Sequence, residues 1–253
     1  MITVKTISDF INEIAPYETK CDWDNCGILT GNKDDEVKKI GFVLDLTSET
    51  LEEAKKNSVN LVITHHPIIF KPQKNFLKGN MAFELARSKI NAISAHTCFD
   101  CANGGVNDVL CKILCLENCR GVESFECAVP MARIGETEEY EPDAFAAFVA
   151  KKLNTTVRFI EGRTKVKKAA VCGGAGMSFL DEVIAAGADA YVTGDISHHE
   201  MLDAKEKGIT IVAAGHFETE NPAMAALKKM INDKFPEVET VLLNQQNPVR
   251  FVG

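Results

Sequence analysis

Two segments of this 253-residue chain repeat the same order of sequence patterns. Residues 38–66 align with residues 167–195 without a gap, although few positions are identical. Each segment predicts a strand, a small turn, a helix and an apolar strand ending in threonine, Thr64 or Thr193. Strands that alternate with helices favour parallel sheets in an α/β fold. The repeat therefore predicts two similar α/β lobes, related by an internal pseudo-repeat, that face each other.

The lobes are expected to comprise residues 1–125 and residues 126–253, with an approximate boundary. The N-terminal lobe would carry His65, His66, His96 and Asp100, and the C-terminal lobe Gly194, Asp195, His216 and Glu220. All of these residues follow predicted strands. Because open α/β sheets bind ligands at the carboxyl ends of their strands, we expect a site in the cleft between the lobes.

The stretch Leu61–Phe70, LVITHHPIIF, carries the clearest chemical signal. Its apolar start predicts a buried strand, and Pro67 ends that strand directly after two histidines. Adjacent strand residues point to opposite sides, but at a strand end two imidazoles can reach neighbouring targets. We interpret His65 and His66 as metal-binding or catalytic residues, with structural loop histidines as the alternative.

The two lobes share a second pattern, a histidine four residues before an acid. His96 precedes Asp100 and His216 precedes Glu220 in equivalent places. Imidazoles and carboxylates together are the donor set of two-metal hydrolytic centres. A histidine four residues before an acid is common by chance, so the evidence for a metal site comes from its occurrence in equivalent places of both lobes.

Composition narrows the class of protein. A net charge of −8 argues against nucleic acid and anionic membranes as partners. The first residues do not resemble a secretion signal, and no apolar run approaches the roughly 20 residues that span a bilayer. Nine cysteines, an odd number, predict reduced thiols in a cytoplasmic protein.

Several other features allow two interpretations. Cys111, Cys115 and Cys119 recur every four residues, which favours a helical stripe over a zinc cluster. Trp23, the only tryptophan, lies in a polar loop and is interpreted as a staple for that loop rather than a pocket wall. The run 173–176, Gly-Gly-Ala-Gly, favours a tight turn over a phosphate cradle, because it lacks the Walker lysine and does not fit GxGxxG.

A further doublet, His198-His199, follows a predicted strand end at the start of a helix. We expect a solvated His198 and allow a supporting role for His199 behind the ligands. Other predicted elements are a helix over Thr6–Ala15 with Ser8 as its N-cap, a helix over Val106–Leu116, and strands over Ala128–Ile134 and near Val238–Leu243.

The chain resembles the family labelled GTP cyclohydrolase 1 type 2 homologue, also called Nif-three-like, over nearly its whole length. The matching motifs are Trp23-Asp24-Asn25-x-Gly27, Thr64-His65-His66-Pro67, Ser94-Ala95-His96-Thr97-x-x-Asp100, Gly105-Val106-Asn107-Asp108, Arg133-Ile134-Gly135, Cys172-Gly173-Gly174-Ala175-Gly176, Thr193-Gly194-Asp195 and Gly215-His216-x-x-Thr219-Glu220. One departure is Cys98, where the family usually has asparagine.

The resemblance implies a dinuclear centre of divalent Zn, Fe or Mn ions, a toroidal homohexamer, and five metal ligands, which are His65, His66, Asp100, His216 and Glu220. Asp100 and Glu220 would be the bridging or shared ligands. His96 would orient a ligand or shuttle a proton.

Two functions fit this site. The first is a metal-dependent hydrolase that uses a metal-bridging water as nucleophile, with a GTP cyclohydrolase I-like activity or another nucleotide-like small-molecule substrate. The second is a non-catalytic protein that binds or delivers metal, or regulates a partner. The same ligands serve both functions, so the sequence does not separate them.

Overall fold

The protein is a mixed α/β chain with two β-sheets flanked by helices. Its structure is a computed structural model, which describes residues 1–124 and 129–250. Within those residues, no helix combines the length and apolar character needed to cross a membrane.

The regular elements alternate along most of the chain. The strands are β1 (Gly27–Thr30), β2 (Lys39–Val43), β3 (Leu61–Thr64), β4 (Asn91–Ser94), β5 (Glu117–Gly121), β6 (Arg133–Tyr140), β7 (Arg158–Ile160), β8 (Val166–Cys172), β9 (Ala190–Thr193), β10 (Thr210–Ala213) and β11 (Glu239–Leu242). The helices are α1 (Val4–Ile14), α2 (Ser48–Lys56), α3 (Met81–Ser88), α4 (Thr97–Asp100), α5 (Val106–Ile113), α6 (Pro142–Leu153), α7 (Leu180–Ala185), α8 (His198–Lys207), α9 (His216–Glu220) and α10 (Pro222–Lys234).

The chain forms two compact units. The first unit comprises residues 1–103 and 224–248, and the second comprises residues 104–223 together with residues 249 and 250. The lobes expected from sequence keep residues 224–248 in the C-terminal half. The structure groups them with the first unit because β11 pairs with β2. The first division falls between residues 103 and 104 and not at the expected 125/126, so residues 104–124, expected in the N-terminal lobe, belong to the second unit.

The sheet of the first unit has the order β1-β4-β3-β2-β11. Strands β2, β3, β4 and β11 run parallel, while β1 pairs antiparallel with β4. All four residues of β3 and of β4 are buried, as expected for central strands covered on both faces. Val62 and Ala92 pack with Leu51 and Leu85 from the covering helices.

The sheet of the second unit has the order β5-β6-β8-β9-β10-β7. Strands β8, β9 and β10 are parallel, and the remaining pairings are antiparallel. Val192 of β9 and Val212 of β10 pack against Phe145 and Val149 of α6. Burial of these side chains fixes the carboxyl ends of β9 and β10.

Equivalent pairs of neighbouring strands have the same register in the two sheets. Val43 of β2 lies opposite Thr64 of β3, and Cys172 of β8 lies opposite Thr193 of β9. These pairs coincide with the gapless alignment of residues 38–66 and 167–195. The duplication itself stays a prediction, but the matching register gives it a structural basis.

Some local predictions were wrong. Helix α1 begins at Val4 because Thr3, not Ser8, is its N-cap; the Thr3 hydroxyl accepts a hydrogen bond from the Thr6 amide at 3.2 Å. Ser8 is buried inside the helix. The predicted strand over Ala128–Ile134 begins outside the described residues, and the observed β6 covers Arg133–Tyr140.

The helical cysteine stripe does not form. Helix α5 ends at Ile113, Cys115 has a left-handed φ of 53°, and Cys119 lies in β5. Only Cys111 packs in the core, while Cys115 and Cys119 are exposed. The four-residue spacing of the cysteines therefore continues beyond the end of helix α5, and periodicity alone did not reveal where that helix ends.

Candidate metal-binding groups

The histidine doublet lies at the carboxyl end of β3, as its sequence predicts. The amides of His65 and His66 donate to the carbonyls of Val43 and Leu44, so the strand pairing continues to both residues. The His65 ring is fully buried, and its Nδ1 lies 2.9 Å from the carbonyl oxygen of Ala95. Since a carbonyl only accepts, Nδ1 carries the proton and Nε2 presents its lone pair.

Two further imidazoles of the first unit are held in the same way by carboxylates. His66 Nδ1 lies 2.6 Å from Asp45 Oδ1, and His96 Nδ1 lies 2.8 Å from Asp24 Oδ1. In each ring the carboxylate accepts from Nδ1, so Nε2 is the nitrogen that is available to a metal ion. A carboxylate or carbonyl behind the ring is the usual support of a metal-binding histidine.

These three imidazoles form one group. One ring nitrogen of each of His65, His66 and His96 lies within 4.8 Å of the others. Asp100 is buried in α4, and its Oδ1 lies 3.5 Å from His65 Nε2. Neutral nitrogens beside a carboxylate are a donor set that suits zinc and other divalent transition metals.

Asp24 has a low pKa because it serves several donors. Burial raises its pKa, but hydrogen bonds and charge attraction from His96 and a hydrogen bond from Thr97 outweigh that effect and hold it well below its usual range. Thr97 donates from both its amide and its hydroxyl, at 3.1 and 2.5 Å. The acid therefore stays ionised and accepts the Nδ1 proton of His96.

The second unit has its own histidine and acid group at the ends of β9 and β10. His216 begins α9, and its Nδ1 lies 2.7 Å from Asp195 Oδ2, directly after β9. Its Nε2 lies 3.0 Å from Oε2 of the buried Glu220. The hydrogen bond to Glu220 raises the pKa of His216 to about 9, helped by Asp195 and opposed by burial.

The two His-x₃-acid segments therefore differ in geometry. His216 faces the acid of its own segment across one helical turn. His96 is instead the N-cap of α4 and bonds Asp24, while Asp100 lies near His65. Equal spacing in the sequence produced two different pairings because α4 and α9 begin with different backbone angles.

The glycine-rich turn lies close against Glu220, as a tight turn would. Gly174 has a φ of +63°, and a Cβ there would overlap Glu220 Oε1 and lie 3.1 Å from His216 Nε2. The amides of Gly173, Gly174 and Gly176 already donate to Asn107, Thr219 and Thr193. With those three donors used, a close approach to Glu220 explains the glycines.

The second doublet lies outside these groups. His198 and His199 are both exposed at the start of α8. His199 Nδ1 lies 3.0 Å from Ser197 Oγ. The structure thus favours a local surface contact for His199.

Sequence reasoning placed Asp195 at the expected site but missed two other acids that orient the rings, Asp24 and Asp45. Asp45 follows β2, so a search for acids after predicted strands would have found it. Asp24 lies 72 residues before its partner His96, in a loop with no periodic pattern. Its role depends on tertiary placement alone.

An α/β fold with clustered imidazoles and acids defines a protein able to hold a divalent metal ion. Comparison with known proteins agrees: the model of the family Duf34/NIF3 (NGG1p interacting factor 3) matches residues 2–248. The chain belongs to the DUF34/NIF3 family.

Individual relatives share the whole length of the chain. A GTP cyclohydrolase 1 type 2 homolog of Clostridium acetobutylicum is 31% identical over 98% of this chain and 97% of its own. The hypothetical protein SA1388 of Staphylococcus aureus has a TM-score of 0.90 at 27% identity, covering 99% of both chains. Reduced HcgD from Methanocaldococcus jannaschii has a TM-score of 0.83 at 29% identity, covering 96% of this chain and 98% of its own.

Proposed function

We propose that the protein binds two divalent metal ions, of Zn, Fe or Mn, and acts as a metal-dependent hydrolase. The proposed ligands are His65, His66, Asp100, His216 and Glu220. The observation that carries the proposal is the common environment of the imidazoles: each has Nδ1 against an oxygen acceptor. Nε2 of His65 lies 3.5 Å from Asp100 Oδ1, and Nε2 of His216 lies 3.0 Å from Glu220 Oε2. The donor set of imidazoles and carboxylates fits such ions, and metal binding would displace the proton that His216 holds in the metal-free protein.

Divalent ions at such ligands activate water and stabilise developing negative charge during hydrolysis. The chain's own residues would prepare that chemistry. Asp45 and Asp195 hold the Nδ1 protons of His66 and His216, and thereby fix both rings. His96, held by Asp24, is placed to orient a ligand or to pass a proton through Nε2.

GTP is the first substrate to test, because the Clostridium relative carries the name of a GTP cyclohydrolase 1 type 2 homolog. We further propose a cytoplasmic homohexamer, as the family resemblance implies. Light scattering after size exclusion would then give about 166 kDa, six times the chain mass of 27.7 kDa. A monomer or dimer mass would contradict the hexamer.

Metal analysis tests the ligand assignment. Purified wild-type protein is expected to hold two ions per chain, and His66→Ala and Glu220→Gln to hold fewer. His199→Ala is the matched control, since its exposed imidazole bonds Ser197. Equal metal content in all four proteins would contradict the proposal.

Hydrolysis is tested on the same samples, loaded with Zn²⁺, Mn²⁺ or Fe²⁺ and supplied with GTP and other nucleotides. Turnover by wild type that is lost in His66→Ala and Glu220→Gln supports a hydrolase. Two bound ions without turnover of any substrate would overturn the hydrolase and leave a metal-binding or metal-delivery protein.

A further inference from the structure

Two exposed aromatic rings lie beside the imidazole group of the first unit. Trp23 is 57% exposed and Phe70 is 46% exposed. Their ring centroids are 5.5 Å apart with an interplanar angle of 38°. Both rings also approach His96, at centroid distances of 5.8 and 6.3 Å. The pair therefore offers apolar ring surface to solvent next to a candidate metal-binding nitrogen.

The loop that carries Trp23 is held by other residues. Asp24 accepts hydrogen bonds from His96 and Thr97, and Asn25 Nδ2 donates to the carbonyl of Ile69 at 2.7 Å. These bonds fix the backbone beside both aromatic side chains. Asp24 therefore holds this loop by hydrogen bonds, while the Trp23 indole contacts Phe70 and His96 and keeps more than half of its surface exposed.

The segment after Phe70 is basic in an acidic protein. Residues 68–80 contain Lys71, Lys74 and Lys78 but no acid, whereas the whole chain has a net charge of −8. All three lysines are exposed. Positive charge beside an aromatic surface attracts ligands that combine a ring with an anionic group.

We propose that Trp23 and Phe70 form a stacking platform for a planar heteroaromatic ring that carries a phosphate or similar anionic group, with Lys71 nearest to the anion. The proposal rests on the proposed function, because it places a nucleotide-like ligand next to His96. Aromatic side chains bind bases through their π-faces and accept any base. The platform therefore selects for a planar aromatic ligand but does not discriminate between bases, which would depend on other contacts.

The only tryptophan of the chain makes this platform directly observable. GTP, guanosine and inorganic triphosphate are titrated into purified protein, before and after chelator treatment, while the absorbance-corrected emission of Trp23 is recorded. GTP is expected to quench the emission more tightly than guanosine, and inorganic triphosphate not to quench it. Quenching by triphosphate equal to that by GTP would overturn the stacking role.

Phe70→Leu tests the ring contact while keeping the tryptophan reporter and most of the apolar volume. Loss of base stacking is expected to weaken GTP binding about tenfold or more. Phe76→Leu is the control, because Phe76 is a similarly exposed aromatic of the same segment, at 50%. Equal GTP affinity of wild type and Phe70→Leu would overturn the platform.

Lys71→Gln separates the anionic part of the ligand from the ring. This variant is expected to weaken GTP binding and reduce its sensitivity to salt, with guanosine binding unchanged. Equal affinity of wild type for GTP and guanosine would overturn the anionic part. A change in assembly mass in Phe70→Leu, with GTP affinity intact, would mark the rings as an interface between copies and also overturn the platform.

The outcome is separable from that of the proposed function. Binding is read from Trp23 in chelated protein, so it needs neither bound metal nor turnover. If GTP quenches Trp23 emission in wild type and quenches it more weakly in Phe70→Leu, but the protein hydrolyses no substrate, the platform is supported and the hydrolase is contradicted. If the protein hydrolyses GTP but GTP does not quench Trp23 emission, the hydrolase is supported and the platform is contradicted.

Discussion

At the scale of the residue, Asp45 shows how a neighbouring side chain can orient a proposed ligand, His66. Asp45 Oδ1 accepts from His66 Nδ1, and Asp45 Oδ2 accepts from Gln245 Nε2 at 2.7 Å. Gln245 in turn accepts from the Asp45 amide at 2.9 Å. The carboxylate is thus fixed by the end of the chain, and it fixes the ring.

Asp45→Asn is expected to lower metal affinity about 10–100-fold, because a neutral amide no longer supports the basicity of His66 Nε2. Affinity is measured by competition with a chelating indicator. Asp9→Asn is the control, since Asp9 is an exposed partner of Lys5 on α1. Similar affinities of the two variants would show that Asp45 does not support a ligand.

The metal-free protein is expected to lose stability as the pH rises from 6.5 to about 9. His216 has a folded pKa of about 9, above its ordinary value of 6.5, because Glu220 and Asp195 accept from its ring. The folded state therefore binds the proton more tightly, so this contribution is complete below pH 6.5 and disappears as pH passes through 9.

Thermal unfolding of chelated protein across this range measures the effect. His216→Gln is expected to flatten the dependence, while His199→Gln, with its imidazole exposed, is expected to retain it. An identical pH profile in wild type and His216→Gln would contradict the assignment.

At the scale of the element, the glycine turn after β8 leaves no room for a side chain beside a proposed ligand, Glu220. Gly174→Ala would place a methyl group against Glu220 in a backbone with φ +63°. Gly187 offers a matched control, because its φ is +86° and a Cβ there would meet nothing within 4 Å. Both substitutions share the left-handed backbone cost, about 1–2 kcal/mol.

Gly174→Ala is expected to lose about 1–3 kcal/mol more unfolding free energy than Gly187→Ala, since only it is overpacked. It is also expected to hold less metal, because Glu220 must move. Chemical denaturation and metal analysis measure these effects. Equal losses in both variants would show that the turn yields to the extra methyl.

The predictability of the elements depended on burial. Strands such as β3 and β9 could be predicted because they are short apolar runs buried along their whole length. Strand β5 was missed, since four of its residues are exposed and it forms only by pairing with β6. A strand of that kind is defined by its partner and has no pattern of its own.

The candidate ligands were visible in sequence for a similar reason. His65 and His66 interrupt an apolar run of the sequence, where polar residues are conspicuous. Asp24 and Asp45, which orient two of the rings, were not visible, because they lie in loops and meet their imidazoles only through tertiary contacts. Local sequence patterns therefore revealed the candidate metal ligands better than the carboxylates that hydrogen-bond to them.

At the scale of the whole molecule, the end of the chain completes the first sheet. Strand β11 is the parallel neighbour of β2, and buried Leu243 follows it. Gly41 leaves room for this leucine, since a Cβ at Gly41 would lie 3.1 Å from Leu243 Cδ1. A late segment thus covers an early strand.

Deletion from Glu239 onward is expected to lower the thermal midpoint markedly and to promote aggregation. It uncovers the β2 edge and removes Leu243, whose loss alone costs about 2–5 kcal/mol. Deletion from Arg250 onward is the control, because Arg250 is exposed. Equal midpoints of the two truncated proteins would contradict a stabilising role for β11.

The pairing of β2 with β11 also sets an order of events during synthesis. Residues 104–223 form the sheet of the second unit from one continuous stretch, whereas Asp45 and its partner Gln245 are 200 residues apart. At about 5–20 residues per second, a ribosome needs about 10–40 s to make that intervening chain. The early strands of the first unit must therefore wait with an open edge at β2 until β11 has been synthesised, so the unit that starts first is completed after the second.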